Sequence, residues 1–454
     1  MSTVPADIRR RLEQNDQGHV LASWDRLDDA QRRELLAQIE SVDIAGLRAI
    51  WQKRDDPAPA SGTIEPAPVV GHDDPRLARC RHLGEAALSR GEVAVLLVAG
   101  GQGSRLGFEH PKGMYPVGPV SRKCLFQIHA EKVLALSRRY GKPIPLLIMT
   151  SRATHDETVA FFEQHAYFGL PREDVSFFQQ GTMPALDLAT GRLLLEAPGR
   201  LFLSPDGHGG TLTALAKSGL LDRLARRGIR EVFYLQVDNP LVRIADPEFL
   251  GLHLDASAEV SSRAIAKNGP KEKMGALASV GGRCTIVEYS DLSDELANAT
   301  DERGKLRFWA GSPAIHLFSV EFLQRMTGDP GKLPLHLARK KVPHVGEAEP
   351  KADNALKFER FIFDVLPAAE RWTVVESPRA GEFAPLKNAT GADSPATTEA
   401  ALSEQAASWV AAAGGEVPRP LPALEVNPLY ALDAAEFRAK FDPKTKIEGP
   451  TYWG

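Results

Sequence analysis

A short strand that runs into a glycine-rich loop constrains this chain more than any other stretch. Val93–Val98 reads VAVLLV, an apolar run without helical periodicity, which predicts a strand buried on both faces of a parallel sheet. The loop that follows carries four glycines: Gly100, Gly101, Gly103 and Gly107. Backbone N–H groups can approach an anion there, and Arg105 and Lys112 add positive charge. The stretch therefore predicts a binding site for a triphosphate.

Two better-known phosphate loops do not fit this stretch. A P-loop requires a glycine followed by Lys and then Ser or Thr, and this loop has no such triplet. The dinucleotide fingerprint requires a third glycine where this chain has Leu106, one residue before its glycine. The next apolar run, PIPLLIMT, ends at Thr150 without the acidic residue that would bind a ribose. An NAD-dependent oxidoreductase is therefore disfavoured.

The residues around the loop match a longer motif. AGGQGSRLGFEHPKGMYPVGPVSRKCLFQIHAEKV resembles the signature loop of the UDP-N-acetylhexosamine pyrophosphorylases, within the wider UDP-sugar pyrophosphorylase family. Further matches extend to PLKN at residues 385–388, so the resemblance covers most of the chain from the nineties to the three-nineties. The implied reaction is attack by a hexose 1-phosphate on the α-phosphorus of UTP, which releases pyrophosphate and leaves a UDP-sugar.

The resemblance implies which side chains handle the phosphates. Arg105, Lys112 and Lys387 match the family's catalytic cations. Lys357 in NALKFERFIFD matches a lysine that reaches the substrates' phosphates. Asp238 follows the apolar run EVFYLQV in the family's V-D-N pattern and would bind a divalent cation, most often Mg²⁺. Ligands of open α/β sheets bind outside the carboxyl ends of the strands, which suits this position.

The nucleoside is expected to be bound by an amide side chain and by exposed backbone. Gln180 matches the family's uracil-contacting Gln, and its amide can both donate to and accept from a pyrimidine edge. Gly207 in SPDGHGG lies where the backbone would approach uridine. Leu97, Gly100 and Gly101 would add main-chain contacts.

The residues that match the sugar site support two different hexoses. Gly275 and Glu288 match positions that contact the hexose, and a carboxylate can accept hydrogen bonds from sugar hydroxyls. His208 stands where the N-acetylhexosamine enzymes have Asn and the UDP-glucose branch has His, and Ser312 replaces a family Asn. Loss of that amide would change sugar discrimination by about 1 to 3 kcal/mol. N-acetylglucosamine 1-phosphate is the expected substrate; the alternatives are glucose 1-phosphate, a range of sugar phosphates, or a non-catalytic UDP-sugar binding protein.

Composition argues against several other classes of protein. A net charge of −4 is unlike that of a typical nucleic-acid-binding protein, and no apolar run approaches the length of a membrane span. Three scattered cysteines without C-x-x-C spacing favour a reducing cytoplasm over a disulfide framework or zinc site. The charged N-terminus lacks the apolar core of a secretory signal. A cytoplasmic enzyme that binds neither nucleic acid nor membrane is expected, and the sequence does not predict its oligomeric state.

The order of apolar runs predicts an α/β fold, with a nucleotidyltransferase Rossmann-like central mixed sheet and helices on both faces. Residues 1–87 should form an N-terminal helical region and an extended Pro-rich linker at 55–71. Residues 88–390 should form the catalytic domain and residues 391–454 a small C-terminal subdomain. Ser121 is the expected N-cap of the helix after the signature loop, and one helix is expected over residues 210–228.

Overall fold

Helices and strands alternate along much of the chain, which confirms the predicted α/β class. The computed structural model describes residues 3–56, 62–328 and 333–454. Its helices are α1 Ala6–Gln14, α2 Asp29–Glu40, α3 Ile44–Gln52, α4 Pro75–Arg90, α5 Leu125–Tyr140, α6 His155–Gln164, α7 Gly210–Ser218, α8 Leu220–Arg226, α9 Pro247–Asp255, α10 Asp294–Asn298, α11 Val320–Thr327, α12 Arg379–Glu382, α13 Pro395–Ala412 and α14 Ala434–Lys440. Its strands are β1 Ile64–Pro66, β2 Val93–Val98, β3 Leu146–Thr150, β4 Val175–Gln179, β5 Thr182–Pro184, β6 Leu186–Asp187, β7 Leu195–Ala197, β8 Arg200–Leu201, β9 Leu203–Pro205, β10 Glu231–Gln236, β11 Val260–Ala266, β12 Ala276–Val280, β13 Arg283–Val287, β14 Ala310–Gly311, β15 His316–Ser319, β16 His336–Lys340, β17 Ala355–Glu359, β18 Trp372–Glu376, β19 Leu424–Val426 and β20 Thr451–Trp453.

The chain divides into two compact units, each assembled from three separate stretches. Unit 1 contains Met1–Ser61, Gln180–Thr211 and Gly331–Ile362. Unit 2 contains Gly62–Gln179, Leu212–Pro330 and Phe363–Gly454. The chain therefore leaves unit 2 directly after β4 and again after α11, whereas the sequence suggested three consecutive segments.

Unit 2 is built on an eleven-stranded mixed sheet with the order β1-β12-β14-β11-β15-β10-β2-β3-β4, in which β13 also pairs with β12 and β18 with β11. β2 lies in parallel between β10 and β3. β15 is antiparallel to both β10 and β11, so those two strands point the same way, and β18 is parallel to β11. The carboxyl ends of β2, β3, β10, β11 and β18 therefore meet at one edge of the sheet, where α/β proteins bind their ligands.

β2 is buried on both faces, as its apolar sequence predicts. Residues 93–97 are at most 1% exposed, and the cluster around them includes Leu88 of α4, Phe126 of α5 and Phe249 of α9. A strand packed in this way is held firmly, because each large side chain in a close-packed core contacts several others. The loop that follows β2 therefore starts from a rigid base.

Two helices of unit 2 cross at a pair of glycines. A Cβ added to Gly84 of α4 would lie 2.1 Å from the carbonyl oxygen of Pro247, and one added to Gly251 of α9 would lie 2.0 Å from that of Cys80. Real Cβ atoms do not approach backbone oxygens so closely, so only glycine lets these helices pack at this distance. The contact supports the same core that holds β2.

We expect Gly84→Ala to lower the free energy of unfolding by up to about 2 kcal/mol. Forcing a methyl group against a rigid backbone costs about 1–3 kcal/mol, and the higher helix propensity of alanine returns only about 1 kcal/mol. Urea unfolding measures the difference. Gly449→Ala is the control, since nothing lies within 4 Å of its added Cβ. Equal unfolding midpoints for the two variants would show that the helices can separate without cost.

Three local expectations differ from the structure. The N-cap of α5 is Cys124, whose Sγ accepts from the N–H of Gln127, rather than Ser121. The helix expected over residues 210–228 is interrupted at Gly219, which has a φ of 66°. The linker expected at 55–71 contains β1, an edge strand paired with β12, while its residues 57–61 lie outside the described part of the chain.

Unit 1 combines the predicted N-terminal helices with three small sheets. β16, β17 and β6 form one sheet, and β5 pairs with β9 and β7 with β8. Side chains from α1 and α2, such as Leu12, Leu35 and Ile39, form one cluster with Leu186 of β6 and Phe358 of β17. The helical expectation for the N-terminal region is confirmed, and the helices cover strands from later in the chain.

The C-terminal stretch of unit 2 has a small apolar cluster of its own. Val410 of α13 and Phe437 of α14 are fully buried there, beside the parallel pair of β19 and β20. Glu425 of β19 accepts hydrogen bonds from the Ser121 N–H at 2.7 Å and Oγ at 2.6 Å. Ser121 therefore attaches the loop before α5 to this stretch instead of capping the helix. Among the described helices, none has the length and apolar character needed to cross a membrane.

Candidate active site

The loop after β2 folds back on itself through backbone hydrogen bonds. The N–H of Gly103 donates to the carbonyl of His110 at 2.9 Å, and the N–H of Lys112 donates to that of Gly101 at 3.0 Å. A Cβ at Gly103 would lie 2.7 Å from the carbonyl oxygen of Phe108, so glycine is required for this fold. The closed loop presents Gly101 to solvent and returns Lys112 to the start of the loop.

Lys112 and Asp238 meet at the carboxyl edge of the sheet. The N–H of Val237 donates to the carbonyl of Val98 at 3.0 Å, so the chain after β10 runs beside the chain after β2. Lys112 Nζ lies 3.7 Å from Asp238 Oδ2, and the two side chains are 20% and 14% exposed. A mostly buried carboxylate and a lysine therefore lie side by side at the strand ends.

The segment that carries Lys387 lies beside Asp238. The N–H of Leu386 donates to the carbonyl of Asp238 at 2.8 Å. Lys387 Nζ lies 5.7 Å from the centre of the Phe383 ring, and its own N–H donates to the carbonyl of Asp393 at 2.7 Å. The structure thus brings Lys112 to the carboxylate of Asp238 and the backbone just before Lys387 to the carbonyl of Asp238, although the three residues are far apart in the sequence.

The remaining residues of the predicted phosphate site differ in their surroundings. Arg105 lies on the exposed 3-10 turn Ser104–Leu106, and no ion pair or hydrogen bond to its side chain is found within residues 3–56, 62–328 and 333–454. Leu97 is 1% exposed and pairs with Leu235 and Ile148 on its two sides. Arg105 can therefore move toward a ligand, while Leu97 supports the loop from within the sheet.

The residues that match the hexose site lie close together in unit 2. The N–H of Ser312 donates to the carbonyl of Gly275 at 2.9 Å. A Cβ at Gly275 would lie 3.0 Å from Glu288 Oε1 and 2.6 Å from a methyl carbon of Ile286, so a side chain there would displace the carboxylate. Ser312 Oγ accepts from the N–H of Ala314 at 3.3 Å. Only glycine fits at residue 275, because Ile286 and the carboxylate of Glu288 already fill the space a side chain would need.

A lysine that sequence reasoning missed lies beside this group. Lys267 directly follows β11, and its Cγ would lie 3.1 Å from a Cβ built on Gly311. Burial lowers the pKa of Lys267, and the nearby carboxylate of Glu272 opposes that shift. Like Asp238, Lys267 comes just after the end of a buried strand, and that position in the sequence could have identified it as a candidate site residue.

In unit 1, the glycines around residue 207 pack directly on backbone. A Cβ at Gly207 would lie 2.4 Å from the carbonyl oxygen of Arg360, and the φ of Gly207 is 83°. The N–H of Gly209 donates to the same carbonyl at 2.8 Å. The carbonyl of Gly181, next to the buried Gln180, accepts from the N–H of Asp206 at 3.1 Å. These bonds set the segment of Gln180 beside the SPDGHGG loop.

His208 is held by contacts within unit 1. Its Nδ1 accepts from the N–H of Ile362 at 3.1 Å, which leaves the ring proton on Nε2, and its ring stacks on Phe361 with centres 5.2 Å apart. An asparagine Oδ1 can occupy the place of a histidine Nδ1 as an acceptor. His and Asn can therefore both close this loop, and His208 by itself does not distinguish a glucose site from an N-acetylhexosamine site.

Lys357 projects from β17 in unit 1. Its Nζ lies 5.1 Å from the centre of the Phe202 ring. Burial lowers the pKa of Lys357, with the charge of Lys340 acting in the same direction and that of Glu359 opposing it. A desolvated lysine gains more from an arriving anion than an exposed one, because its charge is poorly compensated before the anion binds.

The donor set at the strand ends fits a magnesium ion that is shared with a substrate. Within the described ranges, no three His, Cys, Asp or Glu side chains form a cluster that could hold a metal by themselves. Mg²⁺ is usually bound by one or two carboxylates together with substrate phosphates rather than by an all-protein cage. Asp238 provides one such carboxylate beside Lys112.

The chain matches one family model and is similar to proteins named as UDP-N-acetylhexosamine or UDP-N-acetylglucosamine pyrophosphorylases. The family model described as UTP–glucose-1-phosphate uridylyltransferase matches residues 72–449. UDP-N-acetylhexosamine pyrophosphorylase-like protein 1 of Xenopus tropicalis is 39% identical over 433 residues, which cover 89% of this chain and 84% of that protein. UDP-N-acetylglucosamine pyrophosphorylase of Saccharomyces cerevisiae is 40% identical over 348 residues, which cover 74% of this chain and 73% of that protein. The crystal structure of the uridine diphosphate N-acetylglucosamine pyrophosphorylase from Trypanosoma brucei in complex with inhibitor has a TM-score of 0.84 and 28% identity, covering 97% of this chain and 96% of that chain. The chain therefore belongs to the UTP–glucose-1-phosphate uridylyltransferase family.

Proposed function

We propose that this protein transfers a uridylyl group from UTP to N-acetylglucosamine 1-phosphate. The proposal is supported by the ion pair of Lys112 with Asp238 at the carboxyl edge of the sheet, and by the hydrogen bond that holds the residue before Lys387 against the carbonyl of Asp238. Both substrates are anions, so a site for this reaction must place cations where two phosphates approach each other. It must also hold the attacking and leaving oxygens in line.

In the proposed reaction, a phosphate oxygen of the sugar phosphate forms a bond to the α-phosphorus of UTP. The bond from that phosphorus to the pyrophosphate oxygen breaks, and pyrophosphate leaves with the electron pair. Negative charge increases on the oxygens of the α-phosphate during the transfer, and we assign its stabilisation to Lys112, Lys387 and Arg105. Each preorganised donor of this kind contributes about 3–4 kcal/mol to lowering the barrier.

The proposed cofactor is Mg²⁺, with Asp238 as its protein ligand. When bound, the ion would neutralise phosphate charge and orient the phosphates for displacement. Lys112 is suited to the adjacent phosphate because its Nζ already lies near that carboxylate. The chain supplies the rigid strand ends that keep these two side chains in place.

The nucleoside is assigned to Gln180 and to the loop around Gly207. We assign uracil recognition to the amide of Gln180, which can donate to and accept from the pyrimidine edge. We assign the half-buried backbone of Gly207, whose positive φ requires glycine, to the approach of uridine. Lys357 is assigned to a substrate phosphate because burial leaves its charge poorly compensated.

The choice of sugar rests on the relatives and on the polar side chains near Gly275. The two relatives at 39% and 40% identity carry names of the N-acetylhexosamine branch. An N-acetylated sugar needs hydrogen-bond partners, and Glu288 and Ser312 supply a carboxylate and a hydroxyl close to Gly275. Ser312 is shorter than the family's Asn, so this partner is weaker than an amide would be.

Competition between sugar phosphates tests the proposal. With UTP and Mg²⁺, we expect kcat/KM for N-acetylglucosamine 1-phosphate to exceed that for glucose 1-phosphate by about 10-fold or more, equivalent to about 1.4 kcal/mol of discrimination. Pyrophosphate release is measured with each sugar alone, and UDP-sugar products are measured from equimolar mixtures that also include N-acetylgalactosamine 1-phosphate. A preference for glucose 1-phosphate would assign the glucose reaction instead. Absence of turnover with every sugar would leave a UDP-sugar binding protein.

A further inference from the structure

The segments that carry Asp238 and Lys387 follow strands that are not neighbours in the sheet. Asp238 follows β10 and Lys387 follows β18, and β15 and β11 lie between those two strands. Three strand spacings of about 4.8 Å each therefore separate β10 from β18. Strand pairing in the sheet therefore does not fix the distance between the Asp238 segment and the Lys387 segment. Contacts beyond the strand ends must fix it.

A buried amide joins the two segments. Asn239 is 3% exposed. Its Nδ2 donates to the carbonyl of Glu382 at 2.8 Å, and its Oδ1 accepts from the N–H of Ala384 at 3.1 Å. Beside these bonds, the N–H of Leu386 donates to the carbonyl of Asp238 at 2.8 Å. Three hydrogen bonds thus connect residues 238–239 with residues 382–386.

The Asp238 loop is also anchored from α5. His129 is fully buried, and its Nε2 donates to the carbonyl of Val237 at 3.0 Å. Burial, together with the nearby charge of Lys132, lowers the pKa of His129 to about 3, so its ring stays neutral. Lys132 Nζ donates to two carbonyls of the loop, those of Pro240 and Val242. With the loop fixed on this side, a change at Asn239 would act mainly on the segment that precedes Lys387.

We propose that Asn239 is a positioning residue that holds Lys387 at a fixed separation from Asp238. The inference rests on the proposed function, in which both of those residues act on phosphates. Asn239 acts through its two neighbours and does not itself contact the substrates. Misplacing a catalytic group by about 1 Å costs roughly 100-fold in rate, whereas ground-state binding by the other cations would be largely unaffected.

Asn239→Asp tests the proposal. It keeps the shape and the Oδ1 acceptor but sets a carboxylate oxygen against the Glu382 carbonyl. We expect kcat to fall by about 10- to 100-fold with the KM for UTP changed by less than about 3-fold. Hydrogen exchange of the Leu386 amide, measured without substrates, should become faster. A raised KM with an unchanged kcat would overturn the proposal, as would unchanged exchange.

Asn15→Asp is the matched control. The Nδ2 of Asn15, at the end of α1 in unit 1, donates to the carbonyl of Arg11 at 2.8 Å. The variant therefore loses an amide-to-carbonyl bond of the same kind in a segment that carries no proposed site residue, and kcat should be retained. An equal fall in kcat in both variants would assign the effect to general destabilisation. If Asn239→Asp does not fold, Asn239→Ser removes the amide without adding charge and is measured in the same way.

A double variant separates positioning from a merely structural role. If Asn239 acts through Lys387, combining Asn239→Asp with Lys387→Met should lower kcat by no more than about 3-fold below Lys387→Met alone. Independent effects would multiply and would reject the proposal. Absence of turnover in the unmodified protein would reject the proposed function alone, because exchange at Leu386 still reports whether Asn239 holds the two segments together.

Discussion

Replacing Asp238 with asparagine should lower uridylyl transfer by at least about 100-fold. The neutral amide is nearly the same size as the carboxylate, so the strand end keeps its shape. It loses the negative charge that the proposed metal requires, and Lys112, 3.7 Å away, loses its ionic partner. Pyrophosphate release measured over a range of Mg²⁺ concentrations should show a higher Mg²⁺ requirement together with a lower maximum rate.

Asp222→Asn is the control for this substitution. Asp222 lies exposed on α8, away from the carboxyl edge of the sheet, and the change removes the same charge from the protein. It should leave both the rate and the Mg²⁺ requirement unchanged. Full activity in Asp238→Asn with an unchanged Mg²⁺ requirement would exclude Asp238 as the metal ligand, whatever the control does.

The parts of the site that the sequence predicts best are those set by local pattern. The apolar run of β2 and the glycines after it specify a buried strand and a bare loop, because each depends on residues within one short stretch. The same holds for the strand before Asp238. By contrast, the predicted N-cap of α5, Ser121, lies three residues before the actual N-cap, Cys124. The bridge between Pro116 and Cys124 holds the preceding residues in a hairpin, so the helix cannot begin at Ser121.

Contacts between segments that are distant in the sequence could not be predicted from local sequence patterns. Asn239 and Ala384 are hydrogen-bonded across 145 positions, and a lone asparagine after an aspartate does not indicate its partner. His129 looks like any polar residue of an amphipathic helix, yet it is fully buried against the carbonyl of Val237. Only the folded structure shows which backbone atoms these side chains bind. Buried donors and acceptors are nearly always paired, so the partners identify the roles of Asn239 and His129.

The sequence did not predict that unit 1 is assembled from three separate stretches, and the reason is the same. Its three stretches are joined by bonds such as that from Gln17 Nε2 to the carbonyl of Gly191 at 3.1 Å and by the pairing of Leu186 with Leu356. Each partner looks unremarkable in its own stretch. Local composition predicted the N-terminal helices correctly, but it could not show that they cover strands from residues 180–211 and 331–362.

Replacing Lys112 with methionine should lower kcat/KM by about 100- to 1000-fold. Methionine keeps much of the length of the lysine stem, and the backbone bond from residue 112 to Gly101 is unaffected by the side chain. The change thus removes mainly the ammonium group, which the proposal places on a phosphate. Because that charge attracts UTP as well as the transition state, both a raised KM for UTP and a lowered kcat are expected.

Two further variants test whether the activity lost in Lys112→Met depends on the position and on the shape of the cation. Lys142→Met removes an exposed lysine before β3 and should leave kcat/KM unchanged, so it controls for the change in net charge. Lys112→Arg keeps the charge but replaces a compact ammonium with a planar fork, which fits the same phosphate less well. If charge alone mattered, arginine would restore nearly all of the activity. Because Lys112 shares a restricted place with Asp238 at the strand ends, we expect only partial recovery, and full activity in Lys112→Met would remove this lysine from the reaction.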